Sequence, residues 1–265
     1  MAGLAQTGLV RRFAAVFAAR PALFALLFGL AIACAAPASS AGFGAPRIAP
    51  PAGPYLQGPP PAPTPAERYA ALDRTGCERE LGARGVAFRR VDEARGVAQP
   101  LRMEGPLHGV TFHSGISEAE RATSLYEIID CRLALALDDF ARQLAEHDVV
   151  EVVHLSIYRP PSPRATRSIS PHAHALAIDA ASFVKRDGTT LIVERDFHGR
   201  IGAPTCGGAA GPSPTTPEAL ELRKILCDAA GARLFNVALT PDFNWKHRNH
   251  FHLEVRADTK WFYLR

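Results

Sequence analysis

From Pro46 to Pro65 the chain cannot hold a regular hydrogen-bonded element, and this one stretch decides where a fold can begin. Proline has no backbone N–H and fixes φ, so it interrupts both a helix interior and a sheet ladder. The run Gly58-Pro59-Pro60-Pro61, set among few charges, reads as a semi-rigid extended tether. It is too short and irregular to be a structural proline repeat in its own right. The sequence therefore divides into residues 42–66 as a linker and residues 67–265 as one domain, long enough for a single hydrophobic core.

Upstream of the linker, Arg11, Arg12 and Arg20 precede an apolar run from Ala22 to Ala33 and small residues through Ala41. A positive flank, a short hydrophobic centre and a small-residue region make residues 1–41 an export signal. The run is shorter than the roughly 20 residues that span a bilayer, although joined to its flanking alanines it would serve as an uncleaved anchor. Ala31-Ile32-Ala33-Cys34 is also a loose lipoprotein cleavage box, lacking the usual Leu three positions before the cysteine. Any membrane relation is thus confined to the signal, an anchor or lipidation at Cys34. The expected location is the periplasm or cell envelope.

Cysteine usage agrees with that compartment. Cys77, Cys131, Cys206 and Cys227 remain for the domain, an even number suited to two disulfides in oxidising surroundings. Three pairings are open, and Cys77 with Cys131 and Cys206 with Cys227 are the local ones. No pair has the close spacing that would place two thiolates on one metal ion. The net charge of +4 is modest and its basic residues are interspersed with acids. This gives no footprint for nucleic acid.

Apolar spacing predicts helices over Glu67–Leu81, Glu118–Glu146 and Glu218–Ala230. Strands are expected at Gly85–Val91, Leu107–His113, Val149–Tyr158, Leu176–Phe183, Thr190–Val193 and His250–Val255. Strands without regular helical crossovers point to an α+β fold, an antiparallel sheet with flanking helices.

The chemistry gathers in the histidines. Of ten, five of the last six fall in two groups, Pro171-His172-Ala173-His174 and His247-Arg248-Asn249-His250-Phe251-His252. On a strand, His250 and His252 share one face while Phe251 and Leu253 turn to the other and enter the core. Asp179 can join them, because Leu176 and Ile178 would pack on the side it does not face. Neutral imidazoles and a carboxylate are the ligands a catalytic zinc site uses, with one position left for water. His174, His108, His113, His147, His154 and His198 show no such partners and are expected to be structural.

Ser170-Pro171-His172-Ala173-His174-Ala175-Leu176-Ala177-Ile178-Asp179 resembles the SxHxxGxAxD motif of the zinc peptidases grouped with lysostaphin, the D-Ala-D-Ala carboxypeptidases and the hedgehog signalling domain. His250-Phe251-His252 resembles their second metal motif. The order of landmarks from Cys77 through Gly85-Val86-Ala87-Phe88, Cys131, Cys206, Cys227 and Thr240-Pro241-Asp242-Phe243-Asn244 to the last histidine resembles the bacterial extensin-like carboxyl-terminal domain family, over about Thr75 to Val255. The resemblance implies a hedgehog/DD-peptidase-like fold, with Zn2+ held by His172, Asp179 and His252. It implies His250 as acid/base or as a support for a ligand. Ser156-Ile157-Tyr158-Arg159 is similar to the SxYR segment that brings an arginine toward a developing oxyanion, which makes Arg159 the second catalytic candidate. Glu254, on the same strand face, is a weaker base. His247 and Trp245 are candidates for binding substrate, with loop exposure the alternative for His247 and core packing for Trp245. The activity implied is hydrolysis of amide bonds in peptidoglycan stem or cross-link peptides; the alternative is a zinc-containing wall-binding or scaffolding domain without turnover. One departure stands out: the motif's glycine is Ala175 here, and a position that needs positive φ would be strained by alanine.

Overall fold

The computed structural model describes residues 62–162, 170–257 and 259–265. The expected export signal, Cys34 and the linker up to Pro61 lie outside the described residues. Regular structure begins at Pro65, slightly before the Glu67 expected. Helix α1 (Pro65–Ala70) is started by Thr64, whose side chain accepts from the Glu67 amide while Glu67 bonds back to the Thr64 amide. The helical period expected over Glu67–Leu81 is in fact two helices. Asp73 accepts from the Gly76 amide at 2.7 Å and so caps a new one, α2 (Arg74–Ala83).

Three short strands follow, β1 (Phe88–Arg90), β2 (Pro100–Met103) and β3 (Thr111–Ser114). The long helix expected over Glu118–Glu146 is interrupted. It comprises α3 (Glu118–Arg121), a 3-10 turn at Leu125–Glu127, β4 (Ile129–Asp130) and α4 (Cys131–Glu146). Ser117, Ser124 and Asp130 each cap the element that follows, so three starts share one apolar rhythm. β1, β2 and β4 make a small antiparallel sheet.

The main sheet contains β5 (Val149–His154), β6 (Ala177–Lys185), β7 (Thr190–Ile192), β8 (Val237–Leu239), β9 (Phe251–Glu254) and β10 (Tyr263–Leu264), together with β3. Its order is β10-β8-β9-β6-β5-β3, with β7 beside β6. Two helices complete the chain, α5 (Val193–Asp196) and α6 (Pro217–Gly231). The fold is thus mixed α and β, with two sheets and several helices. The antiparallel expectation holds at the centre of the main sheet and fails at both edges, where β3 runs parallel to β5 and β10 parallel to β8. The chain between β3 and β5 includes α4, and a crossover of that length is what a parallel pair requires.

The core lies on one side of β6 and β9. Ile178, Phe183, Phe251 and Leu253 are fully buried, and Phe251 packs edge-on to Phe197 with ring centres 5.4 Å apart. α4 adds Leu133, Leu137, Phe140 and Leu144, and Phe140 meets Phe235 at 5.6 Å. Because strand residues alternate faces, burying Ile178 and Leu253 commits Asp179 and His252 to the opposite side. Both local disulfides form, Cys77–Cys131 and Cys206–Cys227. Among the described residues no helix is long and apolar enough to cross a membrane.

Candidate metal centre

In the register of β6 and β9, Asp179 lies directly opposite His252. The third member comes from the turn that precedes β6. Pro171–His174 forms a 3-10 turn, and Ala175 after it adopts the left-handed conformation at φ 52° and ψ 31°. The residue at the motif's glycine position therefore holds a left-handed conformation, the kind that favours glycine. That costs an alanine on the order of 1 kcal/mol, and its full burial holds it there.

The donor atoms converge tightly. His172 Nε2 is 3.0 Å from Asp179 Oδ1, His252 Nδ1 is 2.9 Å from the same oxygen, and the two nitrogens are 3.2 Å apart. Ligand bonds of about 2.0–2.1 Å at tetrahedral angles would set donors about 3.3 Å apart, so these spacings fit one small ion. The proton positions agree. His172 Nδ1 is 2.8 Å from the Ile157 carbonyl, which can only accept, so the proton sits there and the Nε2 lone pair faces inward. His252 Nε2 faces Glu254 Oε2 at 3.5 Å, which leaves Nδ1 facing inward. Outer hydrogen-bond partners of this kind fix the tautomer of a ligating histidine. Three inward lone pairs, one on an anionic oxygen, repel one another unless a cation or proton lies among them. The charges are coupled accordingly. Burial pushes the Asp179 carboxyl up, but His172 and His252 hold it well below the usual carboxylate range. Burial works against a charged His252, and Asp179 and Glu254 overcome it and raise its pKa.

Around this core, Ser156 Oγ is 3.3 Å from Asp179 Oδ2 and Arg159 Nη2 is 3.5 Å from it. Arg159 thus directs its guanidinium at the cluster while half of its side chain stays exposed. His250 Nε2 is 3.3 Å from Asp179 Oδ1, and its Nδ1 bonds Asn249 Oδ1 at 2.8 Å. His250 is not among the three mutually close donors. Burial lowers its pKa, with Asp179 opposing. His247 also comes in, its ring centre 5.2 Å from that of His250 and 5.8 Å from that of His252. Burial, then the neighbouring His250 and His252, lower His247 to about 4. Its Nδ1 bonds Asn244 Oδ1 at 2.9 Å, so Nε2 is the nitrogen free to accept.

Trp245 is placed differently from His247, although both lie on the 3-10 turn Trp245–His247. It is 69% exposed, which overturns the core-packing alternative, and lines a separate groove with Ile201 and Pro241, under the Arg248 guanidinium at 4.7 Å. His174 turns outward and bonds the Gly96 carbonyl at 2.6 Å. His108 and His113 pair with Asp138 and Glu151, in keeping with structural roles. Sequence reasoning gave no role to Ser156, Asn244 or the Ile157 carbonyl. Ser156 carried a signal as the first residue of the SxYR-like segment, and Asn244 as a capping residue just ahead of the turn that bears His247.

Gly96 backs the site from outside. Its φ is +87°, and a Cβ there would stand 2.8 Å from the Ala173 carbonyl oxygen, inside the turn that carries His172. Gly96→Ala is therefore expected to cost about 1–3 kcal/mol in thermal or urea unfolding and to weaken metal binding by displacing that turn. Unchanged stability and unchanged metal affinity would show that the turn has slack.

A family model described as extensin-like protein C-terminus matches residues 75–265, and the chain belongs to that family. Comparison with curated proteins and with solved structures finds no match.

Proposed function

We propose that the domain is a zinc-dependent hydrolase of amide bonds in peptidoglycan stem or cross-link peptides, acting in the cell envelope, with the hedgehog/DD-peptidase kind of zinc-site fold. The observation that carries this reading is the convergence of His172 Nε2, Asp179 Oδ1 and His252 Nδ1 within 3.2 Å of one another. Basic groups outside the trio border the same spot. The likeness of Ser170–Asp179 and His250–His252 to the two motifs of the zinc peptidases supports the choice of metal and of reaction. Bound there, zinc would polarise a carbonyl and bring the pKa of a water to about 7.

The remaining work falls to side chains of this chain. His250, with its Nδ1 proton on Asn249, has Nε2 turned to the cluster and can take a proton from the attacking water and return it to the leaving amine. His247, kept neutral by burial, can share that exchange. Arg159 keeps a fixed positive charge beside Asp179 and can stabilise the oxyanion that develops on the substrate carbonyl. The Ile157 carbonyl and Glu254 hold the imidazoles of His172 and His252 in their tautomers. Ala175 does not by itself argue for an inert scaffold, because alanine holds a left-handed conformation open to glycine while His172 still reaches the cluster.

The test is incubation of the purified domain with muropeptides and zinc, products being separated by chromatography and mass. Cleavage is expected, and His250→Ala should slow it by about 100-fold or more. A wild-type rate no higher than that of His250→Ala would overturn the hydrolase reading.

A further inference from the structure

Away from the metal centre, the small sheet sets two arginines against each other. Arg89 of β1 lies directly across from Arg102 of β2, so both side chains leave the same face, and like charges so placed destabilise a strand pair. Arg89 is offset by Glu104 at 3.3 Å. Arg102 makes no such pair and is supported only by the more distant charge of Glu127. It spends Nη1 and Nη2 on the carbonyls of Arg121 and Ser124, at 3.3 and 2.7 Å, which are neutral acceptors. Burial and then the Arg89 charge weaken its hold on its proton, and Glu127 offsets this only in part. Arg121 has a buried Nε with no hydrogen-bond partner.

All three arginines line a cavity of about 530 Å³, a size usual for small-molecule sites. The carboxylates in its wall are mostly committed. Glu127 accepts from the Ser114 amide and hydroxyl, and Glu151 pairs with His113 at 3.0 Å. Glu118 is exposed in the first turn of α3. Among the described residues neither Arg102 nor Arg121 has a carboxylate within ion-pair distance. Met103 and Phe112 add an apolar wall.

We propose that this cavity is a second ligand site, which takes a small molecule bearing an oxyanion head, carboxylate or phosphate, between Arg102 and Arg121. Guanidinium groups bind both heads through paired N–H donors, and the ligand's charge offsets the repulsion between Arg89 and Arg102. The apolar wall takes its carbon body. The site shares no residue with the metal centre and does not depend on the reaction proposed there.

The test is titration of the mature chain with inorganic phosphate and with succinate, against chloride at matched ionic strength, followed by calorimetry and thermal unfolding. One of the two anions is expected to bind saturably and raise the melting temperature. R121Q and R102Q should each weaken that binding at least tenfold, while a His172→Ala/His252→Ala variant keeps it, which separates this site from anion capture at the metal centre. If R102Q fails to fold, R121Q decides alone, since the Arg121 Nε makes no bond that the fold requires. Phosphate binding without succinate binding assigns a phosphate head, and the reverse a carboxylate. The proposal falls if neither anion binds up to about 50 mM, well above a millimolar affinity, or if binding persists undiminished in R121Q.

Discussion

His172→Ala combined with His252→Ala is expected to abolish zinc uptake, from one ion per chain in the wild-type domain to none after dialysis, measured by elemental analysis. Two of three inward lone pairs disappear, and Asp179 alone offers a single oxygen beside Arg159 and His250. One carboxylate beside a guanidinium and a neutral imidazole is an ion-pair partner rather than a metal site. Stability supplies an independent readout. Metal bound by the folded chain alone contributes its binding energy to folding, so a chelator should lower the melting temperature of the wild type and leave that of the double variant unmoved. Zinc content unchanged in the double variant would remove the proposed centre.

Loss of the Cys77–Cys131 bridge should produce the second largest effect. The bridge spans a sequence separation of 54 residues, and releasing a loop of that length adds about 4 kcal/mol of unfolded-chain entropy. For a domain of this size that corresponds to a fall of roughly 8–16 °C in melting temperature. Cys77→Ala/Cys131→Ala deletes two fully buried sulfurs, trimming each side chain to a methyl without adding a polar atom. Cys77→Ala alone, which frees Cys131 as a thiol, separates the lost cross-link from part of the lost packing. The Cys206–Cys227 bridge closes 21 residues, and its removal should cost about 3 kcal/mol. A smaller loss for the longer loop would contradict this account.

Two members of the His172–Asp179–His252 cluster were legible in the sequence because they obey strict local rules. Period-two alternation puts Phe251 and Leu253 in the core and so turns His252 outward, and Ile178 does the same for Asp179. That these two face each other across β6 and β9 is a matter of register, and spacing along the chain does not fix it. The motif likeness, rather than periodicity, brought His172 to them. Apolar rhythm misled between Glu118 and Glu146, where Leu125, Ile128 and Ile129 continue the spacing of Leu133 and Leu137 through a 3-10 turn and a strand. Ser124 and Asp130 were the overlooked signals, each a residue that starts an element. The parallel edges lay beyond local reading, since the pairing of β10 with β8 depends on where separate segments meet. In sequence His247 fits a substrate-binding residue and an exposed loop histidine equally, and only tertiary packing brings it against His250 and His252.

Ala175 has one more connection. Its carbonyl accepts from the Asp130 amide at 3.0 Å, and Asp130 adjoins Cys131. The turn bearing His172 is thereby moored to the residue that precedes a cross-linked cysteine. Before that sulfur is oxidised, the mooring point belongs to a segment that the bridge does not yet restrain, and the turn has a less firmly fixed neighbour to hold its shape. Reducing the Cys77–Cys131 bridge is therefore expected to loosen the His172 turn as well as the core around the bridge itself.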